Sequence, residues 1–379
     1  MTAADWLAGQ QEAMLGLLRQ LVGIDSGSAD KPGTDQVGAA VRAFLAGHGI
    51  AVQVLPQSRH GDCLRATLPG PGRPVLLLGH MDTVFPAGEA ARRPFTVRDR
   101  VAYGPGVADM KAGLVMNCFV LAAFARCGSS MPLTGLFTGD EEIGSPEGRP
   151  VIEAEAQGAR AVFNSEPGRP SGNIVTSRKG GVFLEMRVTG KAAHAGIAFA
   201  SGVSAIEELA RKIQAVHAVT DLDRGTTLNV GLISGGQSVN TVAPWAEASI
   251  DLRYVDPPER EAAMARLAAI VEHCSVPGAV AELRVRGEFL PLVQSPASAR
   301  LFACYAEAAA RSGFQPKGEF TGGCADSGFA AAMGAPTLCA VGPVGGRAHT
   351  ADEYLHLDSL VPRAQACTRT ITGLAEAGF

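Results

Sequence analysis

Three apolar runs in this chain each end at a histidine or a carboxylate, and this pattern constrains the fold more than any other feature. The runs are PVLLLGH at 74–80, PLTGLFTGDEE at 132–142 and AVFNSEP at 161–167. Continuous apolar runs of this length are typical of strands buried on both faces of a parallel sheet. Open α/β sheets bind ligands beyond the carboxyl ends of their strands. The pattern therefore predicts an α/β fold with a polar site at one edge of the sheet.

The pattern of apolar and polar residues changes after position 177. Apolar and polar residues alternate in VFLEMRVTG, TTLNVGLISGG and EASIDLRYV, as in half-exposed antiparallel strands. A chain of 379 residues also exceeds what one compact core usually fills. We therefore expect an inserted α+β domain at 177–288, between two parts of one catalytic domain at 1–176 and 289–379.

Helical spacing and cap residues predict helices in the first of these segments. The pattern indicates one opening helix at 5–22 and a second helix at 34–48 that is capped by Thr34. The apolar stretch 112–125 contains Asn117 and is too short to span a bilayer, so we interpret it as a buried helix.

Charge and composition narrow the classes of partner. The chain has 33 basic and 37 acidic residues, a formal net charge of -4 and no long block of either sign. It therefore offers no obvious footprint for nucleic acid or an anionic membrane, and a small-molecule substrate is favoured. The eight cysteines form no CxxC pair, and the first residues do not resemble an export signal. We expect a cytoplasmic protein.

The strand end at His80 offers a metal ligand with a supporting carboxylate. His80 and Asp82 stand two residues apart, so both side chains can point to one side, with Asp82 holding the ring. The alternative is a histidine that closes a loop. Asp109 follows the glycine-rich YGPGVADMKAG and could ligate metal or cap the next helix. Its spacing matches neither a P-loop nor a dinucleotide fingerprint.

Three adjacent acids, Asp140, Glu141 and Glu142, repel one another unless cations or protons offset their charge. One interpretation is a solvated acidic turn. The other divides the roles, with Glu142 binding metal and Glu141 acting as the general base on a metal-activated water. Glu166 could close a metal site or begin a helix, and His349 lies in a polar loop where surface histidines are common.

Taken together, five motifs resemble those of the M20 metallopeptidase family, in order and spacing over essentially the whole chain. They are GHMDTV at 79–84, YGPGVADMKAG at 103–113, GDEEIGS at 139–145, SEP at 165–167 and RAHTADEY at 347–354. The stretches GPGVADMKAG and DEYLHLDSL are most similar to the glutamate carboxypeptidase branch. The resemblance implies a zinc-exopeptidase-like catalytic domain with a mixed, largely parallel sheet and an inserted α+β lid and dimerisation domain.

The resemblance also implies a ligand set and a general base. Asp109 would bridge two zinc ions, with His80 and Glu166 completing one site and Glu142 and His349 the other. It further implies a cis peptide bond after Asp109. Imidazole and carboxylate ligands suit zinc, although cobalt or manganese could occupy the same set. In this interpretation Glu141 is the base, and Asp82 supports the His80 ring or the nearby metal environment.

The inserted domain contains TGKAAHAG at 189–196 and GGQSVNTVA at 235–243, which resemble the family's lid and dimer contact. By this resemblance His194 would polarise the scissile carbonyl in the partner of a homodimer, and Asn240 and Arg253 would grip a substrate carboxylate. Without the family resemblance, His194 would be interpreted as a structural residue of a turn and Arg253 as a salt-bridged strand residue.

The glycine-rich FTGGCADSG at 320–328 resembles the family loop whose backbone amides face the substrate, here at Gly322 and Gly323. Phe320 stands where a further cation could have paired with an acidic side chain. This departure leaves an apolar or aromatic preference as open as one for glutamate.

The function that follows is a dinuclear zinc hydrolase that cleaves the amide bond to a C-terminal amino acid in a small peptide. The alternative within the same chemistry is an N-acyl amino acid deacylase of the acetylornithine deacetylase or aminoacylase type. A more distant alternative is a non-catalytic metal-dependent amino acid binding protein, against which Glu141 beside a full ligand set argues. A nucleotide-binding regulator would require a phosphate fingerprint that the chain lacks.

Overall fold

The computed structural model describes residues 1–128 and 131–379, which divide into two compact units. The first unit comprises Met1–Ser177, Leu292–Thr321 and Ala325–Phe379, and the second comprises Arg178–Pro291 and Gly322–Cys324. Within the second unit, the Arg178 guanidinium donates to the carbonyl oxygens of Gly323, at 3.3 Å, and Cys324, at 2.9 Å.

The described chain begins with three α-helices and three strands, and further helices and strands follow. The helices are α1 (Ala3–Leu7), α2 (Gln11–Val22), α3 (Lys31–Gly47), α4 (Glu89–Arg92), α5 (Ala112–Cys127), α6 (Arg149–Gln157), α7 (Ala205–His217), α8 (Pro257–Glu272), α9 (Pro296–Ala310), α10 (Ser327–Ala332) and α11 (Leu360–Gly373). The strands are β1 (Ala51–Leu55), β2 (Cys63–Leu68), β3 (Val75–His80), β4 (Thr96–Arg98), β5 (Val101–Tyr103), β6 (Leu133–Thr138), β7 (Ala161–Asn164), β8 (Ile174–Arg178), β9 (Gly180–Thr189), β10 (Thr227–Gly235), β11 (Trp245–Tyr254), β12 (Val280–Phe289), β13 (Gly318–Thr321), β14 (Thr337–Leu338), β15 (Gly345–Gly346) and β16 (Tyr354–His356).

The main sheet of the first unit has the strand order β1-β2-β6-β3-β7-β14. Strands β6, β3, β7 and β14 run parallel to one another, whereas β2 pairs antiparallel with β6 and β1 pairs antiparallel with β2. Every residue of β3, β6 and β7 is buried, as their continuous apolar sequences predict. His80 pairs with Thr138, and Leu78 pairs with Asn164, so the three strands end side by side. Their following residues therefore meet at one edge of the sheet.

Helix α5 packs against β3 and β6 and forms the centre of this core. Apolar residues surround it, and each of its first thirteen residues is buried. Among the described residues one helical stretch, Val107–Cys127, has the length and composition to cross a membrane. Of its most apolar window, 94% is buried inside the structure. That burial is the property of a core helix, in agreement with the sequence prediction for 112–125.

The second unit is built on an antiparallel sheet with the order β10-β11-β9-β12. Burial alternates along β11, and helices α7 and α8 pack against the sheet to form a separate apolar core. The antiparallel strands and the α+β character predicted from two-residue alternation are confirmed.

Two helix predictions near the N-terminus were wrong in their bounds. The opening helix 5–22 is in fact two helices, α1 and α2, because Gly9 and Gln10 leave the helical path between them. The second helix begins at Lys31 and not at Thr34, because the Asp30 side chain accepts the Gly33 N–H at 3.1 Å and caps it. Pro32 fits the first turn, where no helical hydrogen bond is lost.

Candidate metal centre

The His80 ring lies at the end of β3, almost fully buried, with both nitrogens facing carboxylates or a carbonyl. Its Nε2 lies 3.3 Å from Asp109 Oδ1 and 3.6 Å from Glu166 Oε1. Its Nδ1 contacts the backbone oxygen of Asp82 at 3.0 Å and the Asp82 carboxylate at 3.3 Å. A histidine held by one nitrogen presents the other nitrogen to a metal ion.

Asp82 organises the residues around His80. Its carboxylate accepts the Ser28 hydroxyl at 2.6 Å and the backbone N–H groups of Glu141 and Glu142 at 3.1 Å each. Burial acts to raise the pKa of the Asp82 carboxyl, but its contact with His80 and the hydrogen bond from Ser28 outweigh burial. The pKa therefore lies below its ordinary value, and the group stays ionised.

Asp109 stands between two histidines. One carboxylate oxygen faces His80, and the other lies 3.4 Å from Nε2 of His349. Burial opposes ionisation of Asp109, but the nearby imidazoles of His349 and His80 hold its pKa well below the usual range. Asp109 does not cap α5, because Lys111 occupies the N-cap position of that helix and no side chain forms a capping hydrogen bond there. The peptide bond between Asp109 and Met110 is cis, as the family resemblance implied.

Glu142 and His349 form the second half of the cluster. Glu142 Oε2 lies 3.1 Å from His349 Nε2. Hydrogen bonds with Asp109 and Glu142 raise the pKa of His349 to about 10. His349 adopts a left-handed backbone with a φ of 65°, a conformation that histidine takes more readily than most residues. The ring is half-exposed, so this side of the cluster can reach solvent.

Glu141 occupies the centre of the acidic group and is buried, as is Asp140. The solvated-turn interpretation of the three adjacent acids is therefore wrong. Burial raises the pKa of Glu141 well above its ordinary value, and the nearby carboxylates act in the same direction. The Asp140 carboxylate accepts the N–H groups of Glu147 and Gly148 at 2.7 and 2.9 Å, so it holds the turn between Asp140 and α6.

The residues present fit a bound metal ion. Two overlapping sets have ligand atoms within 4.8 Å of one another, namely His80, Asp109 and Glu142, and His80, Glu141 and Glu166. Within the described part of the chain, His80 Nε2 and Glu142 Oε1 are buried without a hydrogen-bond partner. Buried carboxylates crowded in this way repel one another unless cations offset them. Histidine and carboxylate donors are those that zinc prefers.

Three supporting residues were missed by sequence reasoning. Ser28 holds Asp82, Glu353 accepts three N–H groups from the Asp109 loop, and Asp326 bonds Ser145 and Thr138 beside Glu141. Burial raises the pKa values of Glu353 and Asp326 to about 7 each. Both acids lie within motifs already noted, RAHTADEY and FTGGCADSG, and an acid inside a motif was the available signal.

The remaining candidate residues belong to the second unit. His194 is exposed, its Nδ1 accepts the N–H groups of Gly196 and Ile197, and the neighbouring Ala195 N–H donates to the Asn240 carbonyl at 2.9 Å. His194 and Asn240 are therefore close within this unit.

Arg253 forms a separate group there. Its guanidinium pairs with Asp251 at 2.8 Å and contacts Cys324 Sγ at 2.7 Å, next to Gly322 and Gly323. The ion pair that the sequence left open for Arg253 is thus present.

Comparison of the sequence with known proteins identifies the family. The model of the family described as Peptidase family M20/M25/M40 matches residues 76–373. The chain belongs to this family. It is 29% identical over 378 residues to carboxypeptidase G2 of Pseudomonas sp. (strain RS-16), which covers 96% of this chain and 90% of that protein. It is also 31% identical over 262 residues to acetylornithine deacetylase of Proteus mirabilis, which covers 62% of this chain and 66% of that enzyme.

The fold comparison agrees. A crystal structure of an M20 family metallo-carboxypeptidase from Sulfolobus solfataricus matches with a TM-score of 0.76 and 18% identity, over 95% of this chain and 98% of that one. The predictions of the M20 resemblance, the α/β fold and a hydrolytic enzyme are confirmed. This M20 protein is a peptidase or amidohydrolase of a metal-dependent family, with histidine and carboxylate groups that could bind metal.

Proposed function

We propose that this M20 protein is a dinuclear zinc hydrolase that cleaves the amide bond to a C-terminal amino acid. The observation that carries the proposal is the position of Asp109, with one carboxylate oxygen toward His80 and the other toward His349. A carboxylate placed in this way suits a bridge between two cations. In the proposal His80 and Glu166 complete one site, and Glu142 and His349 complete the other.

The protein's own residues then move the proton. Bound metal ions would supply a Lewis acid that lowers the pKa of a water molecule and polarises the scissile carbonyl. Glu141 accepts the proton of that water and later donates it to the leaving amine nitrogen. Burial raises the pKa of Glu141, which brings an acid of ordinarily low pKa toward the working pH of a general base. Asp82 holds both the His80 ring and the Glu141 backbone during this cycle.

The metal itself is proposed from donor chemistry. Two imidazoles and three carboxylates match the ligands that zinc takes in catalytic sites. The same set accommodates cobalt or manganese, so zinc, cobalt and manganese are to be compared in reconstitution.

Residues of the second unit would bind the substrate. We assign Asn240 and Arg253 to its carboxylate, the backbone N–H groups of Gly322 and Gly323 to its main chain, and His194 to the carbonyl oxygen. The proposal includes a homodimer in which His194 serves the other protomer, and a cytoplasmic location. Since Arg253 already pairs with Asp251, a substrate carboxylate would share or replace that partner.

Two substrate classes are compared. Similarity to carboxypeptidase G2 over nearly the whole chain favours peptides or amides with a C-terminal amino acid. The second candidate, N-acyl amino acids, is favoured by the similarity to acetylornithine deacetylase. Phe320 is exposed and apolar, which supports testing aromatic as well as acidic C-terminal residues.

A substrate panel separates the two candidates. Purified zinc-loaded protein is assayed on peptides ending in glutamate, peptides ending in phenylalanine, and N-acetylated amino acids, with release of the free amine as readout. The carboxypeptidase proposal predicts higher kcat/KM on peptides than on N-acetyl substrates. The reverse order would replace it with the deacylase, and turnover of neither class would reject the proposal.

A further inference from the structure

Glu353 directs its carboxylate into the loop that carries Asp109. The side chain is fully buried. One oxygen accepts the Gly106 N–H at 3.0 Å, and the other accepts the N–H groups of Ala108 and Asp109 at 2.8 and 2.9 Å. Three donors within four residues therefore converge on one carboxylate.

These bonds act on an irregular helical turn, Val107–Lys111, that precedes α5. Asp109 and Met110 have non-helical dihedral angles, and α5 begins only at Ala112. Gly106 adopts a φ of 70°, in the left-handed region. Without the Glu353 carboxylate, these N–H groups would be left inside the protein without that acceptor, at a cost of about 1–3 kcal/mol for each unsatisfied group.

Glu353 is itself held in place from the other side. It directly precedes β16, whose Tyr354 pairs with Tyr103 of β5. It also follows His349 by four residues, so one short segment carries both His349 and the acceptor for the Asp109 loop. The buried Lys111 is a nearby cation, and its Nζ donates to the Ile24 carbonyl at 2.7 Å.

We propose that Glu353 is a positioning residue that holds the Asp109 loop so that the two Asp109 oxygens face His80 and His349. The inference rests on the proposed metal site and deepens it. Glu353 touches neither substrate nor metal in this account. Its effect passes through the backbone of Asp109 and is measured as metal affinity.

Glu147 provides a matched control. Its carboxylate also accepts three consecutive backbone N–H groups, from Ser58 at 3.2 Å, Arg59 at 3.1 Å and His60 at 3.0 Å. None of these three donors belongs to a candidate ligand. Glu147→Gln therefore weakens the same kind of loop contact at a site away from Asp109.

The test measures zinc affinity of chelator-treated full-length protein by competition with a chromophoric chelator. The variants are Glu353→Gln, Glu353→Ala and Glu147→Gln, with thermal midpoints recorded without metal. Glu353→Gln keeps one carbonyl oxygen for two donors but turns an amide N–H toward Gly106, so it remains informative if Glu353→Ala does not fold. Removal of groups that orient metal ligands costs about 10–100-fold in affinity, so we expect about tenfold for Gln and more for Ala.

The outcomes separate the inference from the proposed function. Weaker zinc binding in the Glu353 variants, with Glu147→Gln like the wild type, supports positioning. Zinc affinity of Glu353→Gln equal to that of Glu147→Gln would overturn it, even if both thermal midpoints fall, because a role in stability alone moves only the midpoint. If the wild-type protein binds zinc but hydrolyses no amide, the proposed function is rejected. The comparison of zinc affinities still decides whether Glu353 positions the Asp109 loop.

Discussion

The carboxylate of Asp82 accepts the backbone N–H of Glu141 at 3.1 Å. The same carboxylate contacts the His80 ring at 3.3 Å. One buried acid thus connects the end of β3 to the turn that follows β6. A change at Asp82 therefore affects a proposed metal ligand and the proposed base together.

Asp82→Asn tests this connection. The asparagine amide keeps one acceptor oxygen. Its NH₂ group replaces the carboxylate oxygen that accepts the Ser28 hydroxyl and the Glu142 N–H, so these two donors would face a third donor. We expect kcat/KM to fall about 10–100-fold, as for other groups that orient metal ligands. Ser28→Ala removes one of these donors and leaves the carboxylate, so it is the control. Equal activities for the two variants would contradict the account.

Glu141 and Glu142 are adjacent but are assigned different roles, and matched glutamine variants distinguish them. Glu141→Gln should lower kcat by about 10²–10⁴-fold, the usual contribution of general acid–base catalysis, while zinc content is unchanged. Glu142→Gln should lower zinc content, because Glu142 Oε2 lies 3.1 Å from the ring of His349. Metal analysis and initial rates on both proteins check this. Zinc loss in Glu141→Gln would make Glu141 a ligand, as its nearness to His80 and Glu166 also permits.

Gly113 allows α5 to approach the strand end that carries Glu166. A Cβ at this position would lie 2.0 Å from the Ser165 carbonyl oxygen, whereas one at Gly16 of α2 would meet nothing within 4 Å. Gly113→Ala should destabilise the fold by about 1–3 kcal/mol through overpacking and weaken zinc binding by displacing Ser165 and Glu166.

Gly16→Ala is the control for that change. An exposed helix interior favours alanine over glycine by about 0.5–1 kcal/mol, so stability should rise and zinc affinity should stay constant. Denaturant unfolding and zinc titration of both variants provide the measurements. Normal zinc affinity in Gly113→Ala would show that the close contact does not position Glu166.

The lowered pKa of Glu147 predicts that the stability of the fold depends on pH. Burial acts to raise its pKa, but hydrogen bonds from Ser58, His60 and Arg59 outweigh burial and lower the pKa to about 2, from an ordinary value of 4.5. Because the folded-state pKa is depressed, this contribution is fully present above pH 4.5 and is lost as the pH falls toward 2. The difference in unfolding free energy between wild type and Glu147→Gln should shrink over that range. A difference independent of pH would contradict the assignment.

The strand ends were predictable from sequence because parallel strands place their carboxyl ends together. Once β3, β6 and β7 are recognised as buried, the meeting of His80 with Glu141, Glu142 and Glu166 follows from topology. Local signals were weaker. Asp30 and not Thr34 caps α3, because either polar residue could serve and only the backbone geometry decides.

The partners of the supporting residues were not predictable, because these contacts join distant parts of the chain. Glu353 bonds Asp109 across 244 residues, and Ser28 bonds Asp82 across 54. Neither pairing leaves a periodic pattern. The roles of His194, Asn240 and Arg253 stay predictions, since they depend on substrate and on a second protomer.

Metal restoration tests the central claim most directly. Chelator-treated protein is titrated with zinc, and bound metal and peptide hydrolysis are followed on the same sample. The account predicts that activity is lost with the chelator and returns as about two zinc ions bind per chain, because folded ligand sets recover their metal reversibly. Hydrolysis that persists after chelation, or full activity without bound metal, would contradict it.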